Sequence, residues 1–329
     1  MNLLSSNKTV FILLSFVLLL SSCTELDQLP PIPRTEDWKS NLSDYNVYAG
    51  NWSELAPTED YQLYELGSSL YTNHAEKQRL IKLPEGTEMI YNGNGLPEFP
   101  NGSIIVKTFY YYLDKRDPSL GKRVIETRLL VKRENLWNMA TYVWNEEQNE
   151  ATLNLKGIDT QVDWIDDEGI KHSISYSVPS EKECIACHQK HELATPIGPS
   201  YRNLNFEVLR NGTPINQLEN FKSIGLMNNF NIKEVSQLPD FHDETLSLET
   251  RTRAYLDMNC AHCHQPGAWQ KSSAKRFDFR YETSLENTSI SDAIWDITQV
   301  LESGEMPFLG VSYIDQAGVE MIIEYLNGL

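Results

Sequence analysis

Cysteine is scarce in this chain, with five residues in 329. Four of them form two tight pairs, Cys184/Cys187 and Cys260/Cys263, and the fifth, Cys23, follows an apolar run near the N-terminus. So small and clustered a set does not describe a scaffold stapled by disulfides. Basic residues are few as well. Lys and Arg total 28 against 46 Asp and Glu, a formal net charge of −18. That balance excludes nucleic acid as a partner and argues against electrostatic docking on anionic lipid. The apolar run, residues 10–20, is too short for an ordinary spanning helix. No Gly-rich phosphate loop, fixed-period repeat or nucleophile–base pair stands out.

What the chain does have is a motif that occurs twice. The pairs read Cys184-Ile185-Ala186-Cys187-His188 and Cys260-Ala261-His262-Cys263-His264. C-x-x-C-H is the attachment signature of c-type haem. Two thiols three positions apart on one helical turn can each add to a vinyl group of the same porphyrin. The next residue then sets an imidazole beneath the iron. The expectation is two covalently bound haems, with Cys184, Cys187, Cys260 and Cys263 as attachment points and His188 and His264 as proximal ligands. A four-cysteine zinc site or a redox dithiol is the alternative. Seventy-two residues separate Cys187 from Cys260, against roughly 15–20 in a zinc ribbon.

The distal iron ligands are read from loop position. Met306 lies 42 residues after His264, in Gly304-Glu305-Met306-Pro307 just past an expected helix end. A soft, neutral thioether there raises the reduction potential. For the first haem the expectation is Met227, with His242 or an open sixth position as alternatives. His191, three residues past His188, would share its helical turn and stay on the proximal side. His262 is read as a surface residue. Arg202, Arg276, Arg280 and Trp269 are candidates for bonding haem propionates.

The N-terminus joins a basic start (Lys8), a short apolar centre and small residues, which makes a secretory signal. Its ending, Leu20-Ser21-Ser22-Cys23, resembles a bacterial lipobox, in which the cysteine is acylated and becomes the mature N-terminus. A plain signal peptide is the alternative. Thr24-Glu25 puts no Asp after the cysteine, so the anchor is expected in the outer membrane, facing the periplasm or the cell surface. Export also fits haem attachment, which takes place outside the cytoplasm. Removing the leader takes away one charge and leaves −19, a surface suited to a basic redox partner.

The chain divides into a leader (1–22), a proline-bearing tether (23–44), a β-rich domain (45–178), a first haem segment (179–245) and a second haem domain (246–329). Dense β-branched and aromatic residues mark strands at 104–112, 124–132 and 137–144, with a hairpin across 161–178. Helical stripes run through Leu248, Tyr255, Leu256 and Met258, through Ile290, Ile294, Ile297 and Leu301, and through Ile314, Met321, Ile322, Tyr325 and Leu326. The fold expected is α+β and multidomain. A β-rich antiparallel N-terminal domain, sandwich or barrel-like, precedes an all-α cytochrome c-like region with two haem c sites. The order motif helix, middle helix, methionine loop and last helix resembles class I cytochrome c.

Across nearly its whole mature length the chain resembles a family of bacterial dihaem c-type cytochrome lipoproteins of unassigned role. The residues that carry the likeness include Ile105-Val106-Lys107-Thr108-Phe109-Tyr110, Ile125-Glu126-Thr127-Arg128-Leu129-Leu130 and Tyr142-Val143-Trp144-Asn145. Pro196-Ile197-Gly198-Pro199, Arg202-Asn203-Leu204-Asn205 and Ala254-Tyr255-Leu256-Asp257 continue it. The resemblance implies two haems, a β-rich first half and a proline carbonyl near 196–199 that accepts the proximal imidazole N–H. It supplies no substrate. The activity expected is single-electron transfer between membrane donors and periplasmic or external acceptors. The alternatives are a peroxidase-like dihaem enzyme with one open iron, or a β domain that binds a polymer or protein and is served by the haems.

Overall fold

The computed structural model describes residues 35–269, 275–307 and 309–329. The expected leader, Cys23 and the tether up to residue 34 lie outside the described residues.

Alternation of side chains builds the central sheet. Strands β1 (Gln62–Leu63), β2 (Glu76–Lys82), β3 (Ile104–Tyr112), β4 (Lys122–Arg133), β5 (Leu136–Trp144) and β6 (Ala151–Asn154) pair in sequence order, each antiparallel to the next. The register puts like with like. Leu80, Val106, Leu129 and Ala140 sit opposite one another across four strands, and so do Ile81, Ile105, Leu130 and Met139. Because neighbouring residues point to opposite faces, these two rows supply the cores of the two sides.

The first face is covered by the chain that leads into the sheet. Leu42, Tyr45, Val47, Tyr48, Leu55 and Tyr61 pack on Leu80, Val106, Leu129 and Tyr142. The docking begins earlier than the expected tether allows. The Thr35 N–H donates to Asn138 Oδ1 at 2.9 Å, the Leu153 N–H donates to Ser40 O at 2.9 Å, and Leu42 is fully buried. Residues 35–44 therefore belong to the folded body.

The second face is shared between two covers. Hairpin β7 (Ile158–Ile165) and β8 (Lys171–Val178) lays Val162, Trp164, Tyr176 and Val178 on Phe109, Tyr111 and Ile125. The other end of that face carries the segment with the first motif. Among the described residues the six strands form an open meander with β1 and β6 at its edges, not a closed barrel.

The C-terminal part corrects the expectation of an all-α, class I cytochrome-like region. It contains α1 (Glu181–His188), β9 (Gln189–Lys190), β10 (Leu193–Ala194), α2 (Tyr201–Leu204), β11 (Glu207–Arg210) and β12 (Thr213–Asn216). Then follow α3 (Gln217–Ser223), α4 (Leu248–Asn259), α5 (Ile294–Glu302) and α6 (Gln316–Asn327). These helices are short, 12 residues at most, and two β-hairpins interrupt them. The cause is local. Asn211 and Gly212 take φ of 52° and 77°, the left-handed pair that closes a tight hairpin. His191 and Glu192, at φ 50° and 63°, reverse the chain directly after α1. No described helix is long and apolar enough to cross a membrane.

The expected boundaries at 178 and 245 do not separate cores either. Tyr201, Leu204 and Phe221 pack with Ile81 and Ile105 of the sheet, while Leu66 and Leu70 pack beside Leu256 and Met258.

Candidate functional site

The first motif closes helix α1. Ser180 caps the helix: its hydroxyl accepts from the Glu183 N–H at 3.4 Å, and Glu183 Oε2 accepts from the Ser180 N–H at 2.7 Å. This reciprocal pair fixes where the helix starts, and so where its last turn puts Cys184, Cys187 and His188. Ala186 points inward and is buried, while Cys184 and Ile185 join the cluster of Ile81, Ile105, Leu130 and Met139. The His188 ring pairs through Nδ1 with Thr195 O at 2.9 Å. With Nδ1–H donating, Nε2 keeps its lone pair for a metal. The acceptor is the carbonyl just before Pro196, one residue short of the proline stretch expected for it.

The second motif lies past the end of α4, whose Ser247 cap accepts from the Thr250 N–H at 3.2 Å. It forms a turn in which the Cys263 and His264 N–H groups donate to Cys260 O at 3.1 and 2.9 Å. The His264 ring stands 5.1 Å from Phe279 and 5.8 Å from Phe277. Cys260 packs with Leu256, Met258 and Phe279.

The two motifs, distant in sequence, meet in space. The ligand atoms of Cys187, His262 and Cys263 all lie within 4.8 Å of one another. The segments that follow the motifs also pair. Lys190 bridges Ala268, the His191 N–H donates to Gly267 O at 2.6 Å, and Lys190 Nζ donates to Gln265 Oε1 at 2.8 Å. Gly267, at φ +84°, lies so close to the His191 ring that a Cβ would come within 2.3 Å of it. His191 is thus beyond the helix, pressed on the loop of the second motif, and His262 faces sulfur instead of open surface.

All four thiols are free of disulfides, and the surroundings favour the neutral thiol at Cys184, Cys187 and Cys260. Burial pushes Cys184 up to about 11, against the pull of Arg128, and Cys260 up to about 12. Cys187 is raised by its hydrogen bond with Cys263 and then by burial. Burial also drives His188 down to about 3, against the Thr195 hydrogen bond. These side chains are partly exposed. Neutral buried thiols do not suit a dithiol redox centre, which works through a low-pKa thiolate.

The other expected residues divide. Met227 is buried in the cluster that holds Cys184, bridged to Met89, and Met139 lies in the same cluster. Met306 is half-buried in the loop after α5, apart from the cluster around Cys260. His242 packs on Phe241 at 4.1 Å. The arginines expected at propionates have carboxylates of their own. Arg202 pairs with Asp257 at 2.6 Å and with Glu282, Arg276 with Asp296 at 2.9 Å, and Arg280 with Asp278 at 2.5 Å. Trp269 is half-buried beside the Ala268 bridge.

Sequence reading missed Arg79, Lys107, Glu126 and Arg128, which share the sheet face beneath the first motif. Their signal was parity. Lys107 sits at an inward position between Ile105 and Phe109, where alternation calls for an apolar residue. No family model, no curated protein and no solved structure matches this chain.

Proposed function

We propose that the chain is an exported, lipid-anchored dihaem c-type cytochrome that passes single electrons through two covalently attached haems. Cys184 and Cys187 would hold one porphyrin with His188 as proximal ligand, and Cys260 and Cys263 the other with His264. Iron porphyrin supplies one-electron redox chemistry at such sites. The donor set suits the group: two free thiols and an imidazole at each motif, with the His188 tautomer held by Thr195 O at 2.9 Å.

The observation that carries the reading is the meeting of the motifs at Cys187 and Cys263. Attachment points that touch bring two redox centres side by side, which a relay needs and a chain of independent sites does not. Met227, buried in the cluster that holds Cys184, would be the candidate further ligand for the first haem, and Met306, in the loop after α5, the candidate for the second. A lipid at Cys23 would tether the molecule to the outer membrane, and the acidic surface would meet a basic redox partner in the periplasm or at the cell surface.

A second reading rests on the same three residues. Cys187, His262 and Cys263 form a soft, three-donor group within 4.8 Å, and zinc or a related ion could take it. Intact mass under denaturing conditions decides between the two. The cytochrome gains two porphyrins that survive acid and shows c-type absorption on reduction. Colourless mature protein whose four thiols are still alkylated refutes the haem reading, and stoichiometric zinc in that protein supports the other. Carbon monoxide binding by the reduced form would turn the assignment from relay to an enzyme with an open iron.

A further inference from the structure

The sheet face beneath the first motif carries a row of cations. Arg79 is paired with Lys107, Lys107 with Arg128, and Arg128 with Thr141, across β2, β3, β4 and β5. Directly opposed residues point to the same side, and like charges so placed repel. Lys77 is two positions before Arg79 on that side. The row lies between two apolar clusters, one holding Ile81, Ile105, Leu130 and Met139 and the other Phe109 and Tyr111.

Only part of this charge is balanced. Glu126, fully buried, accepts from Arg128 Nε at 2.9 Å and from Nη2 at 2.5 Å. Lys77 Nζ donates to Leu70 O at 2.8 Å. Arg79 is 8% exposed, and its Nε and Nη2 are buried with no hydrogen-bond partner. Lys107 Nζ stands 5.1 Å from the centre of the Phe109 ring and makes no ion pair among the described residues. An unpaired cation held away from water is costly, so buried Arg79, with two unpartnered nitrogens, beside half-buried Lys107 marks a place suited to an anion.

The first motif lies against the same face. Cys184 and Ile185 pack on the apolar row next to the cations. Arg128 acts on the Cys184 thiol, and both Lys107 and Arg128 act on the His188 ring. Whatever is fastened at Cys184 and Cys187 borders the Arg128 end of this row, which runs on through Lys107 to Arg79.

We propose that Arg79 and Lys107 form a carboxylate-binding site on the sheet, and that its ligands are the two propionates of the porphyrin attached at Cys184 and Cys187. This rests on the haem reading above. Two uncompensated cations match two carboxylates. The arginines near the second motif are already paired with Asp257, Asp278 and Asp296 and cannot serve in the same way.

The test uses Arg79→Met, Lys107→Met and the conservative Arg79→Lys in the full chain, matured with haem and produced without it. Mass spectrometry first establishes loading. In the loaded protein each methionine variant should lower the reduction potential of one haem and leave the other unchanged. Its urea midpoint should fall. In the haem-free chain the same variants should raise the midpoint, because a charge without a counter-ion is removed. Arg79→Lys should keep most of the wild-type potential. Unmoved potentials together with midpoint shifts of one sign in both forms would overturn the proposal. Stabilisation of the haem-free chain by millimolar acetate or phosphate, dependent on Arg79, with unmoved potentials in the loaded form, would assign the row to a free anion instead. Mature protein that gains no porphyrin mass overturns the haem reading and the propionate assignment together.

Discussion

Replacing Glu126 by leucine should be among the most damaging changes in the sheet. The carboxylate is fully buried, takes two hydrogen bonds from Arg128 and accepts a third from the Tyr176 hydroxyl at 2.6 Å. The Arg128 side chain is 19% exposed, so solvent does little to screen the charge left behind. Removing one partner of such a pair costs about 3–5 kcal/mol, most of it the penalty of the stranded ion. Glu126→Leu with Arg128→Met removes both charges, and such paired replacements are often neutral, so it should recover most of the loss. Urea unfolding followed by far-ultraviolet circular dichroism gives the three differences, provided the slopes agree. A single-variant loss below about 1 kcal/mol, or a double variant no better than the single, would refute the reasoning.

Burial, with Arg79 adding to it, holds Lys77 down to about 7 from 10.5 in the haem-free chain. Unfolding takes up a proton between those values, so stability rises as pH climbs from 7 to 10.5, with the full penalty present below 7. Lys77→Met should flatten that rise, which denaturant midpoints measured across the window would show. Gly267→Ala combines a left-handed φ with a clash against the His191 ring. It should cost about 1–3 kcal/mol and loosen the contact between motifs, seen as faster amide exchange at His191. Ser180→Ala removes the cap of α1 and should cost about 1 kcal/mol by thermal melting, with Ser180→Thr close to wild type.

Local patterns in the sequence were readable where packing follows period. The runs 104–112 and 137–144 are strands over those residues, and 124–132 lies within β4. The stripe through Leu248 and Met258 is helix α4. The hairpin across 161–178 is present as β7 and β8, but the turns inside the short segments after α1 were not legible. Asn211-Gly212 is a strong hairpin signal, but the flanking Glu207–Arg210 and Thr213–Asn216 carry little apolar alternation to mark them as strands. The extra hairpins, at 189–194 and 207–216, broke up the expected all-α region within the first haem segment. The site was half legible. Both C-x-x-C-H strings stand in the sequence, but their contact through Cys187 and Cys263 is set by tertiary packing across more than seventy residues. The cation row is likewise a product of strand register. Lys107 and Arg79 become neighbours only once β2 pairs with β3.

Because the chain is fastened to the sheet from Thr35 onward, little slack is left between the folded body and Cys23. Twelve peptide steps separate the two positions, a fully stretched length of about 40 Å. If Cys23 carries a lipid, Thr35 and the sheet face it is fastened to lie within about 40 Å of the bilayer. Any molecule that docks on that face would then have to do so close to the membrane surface.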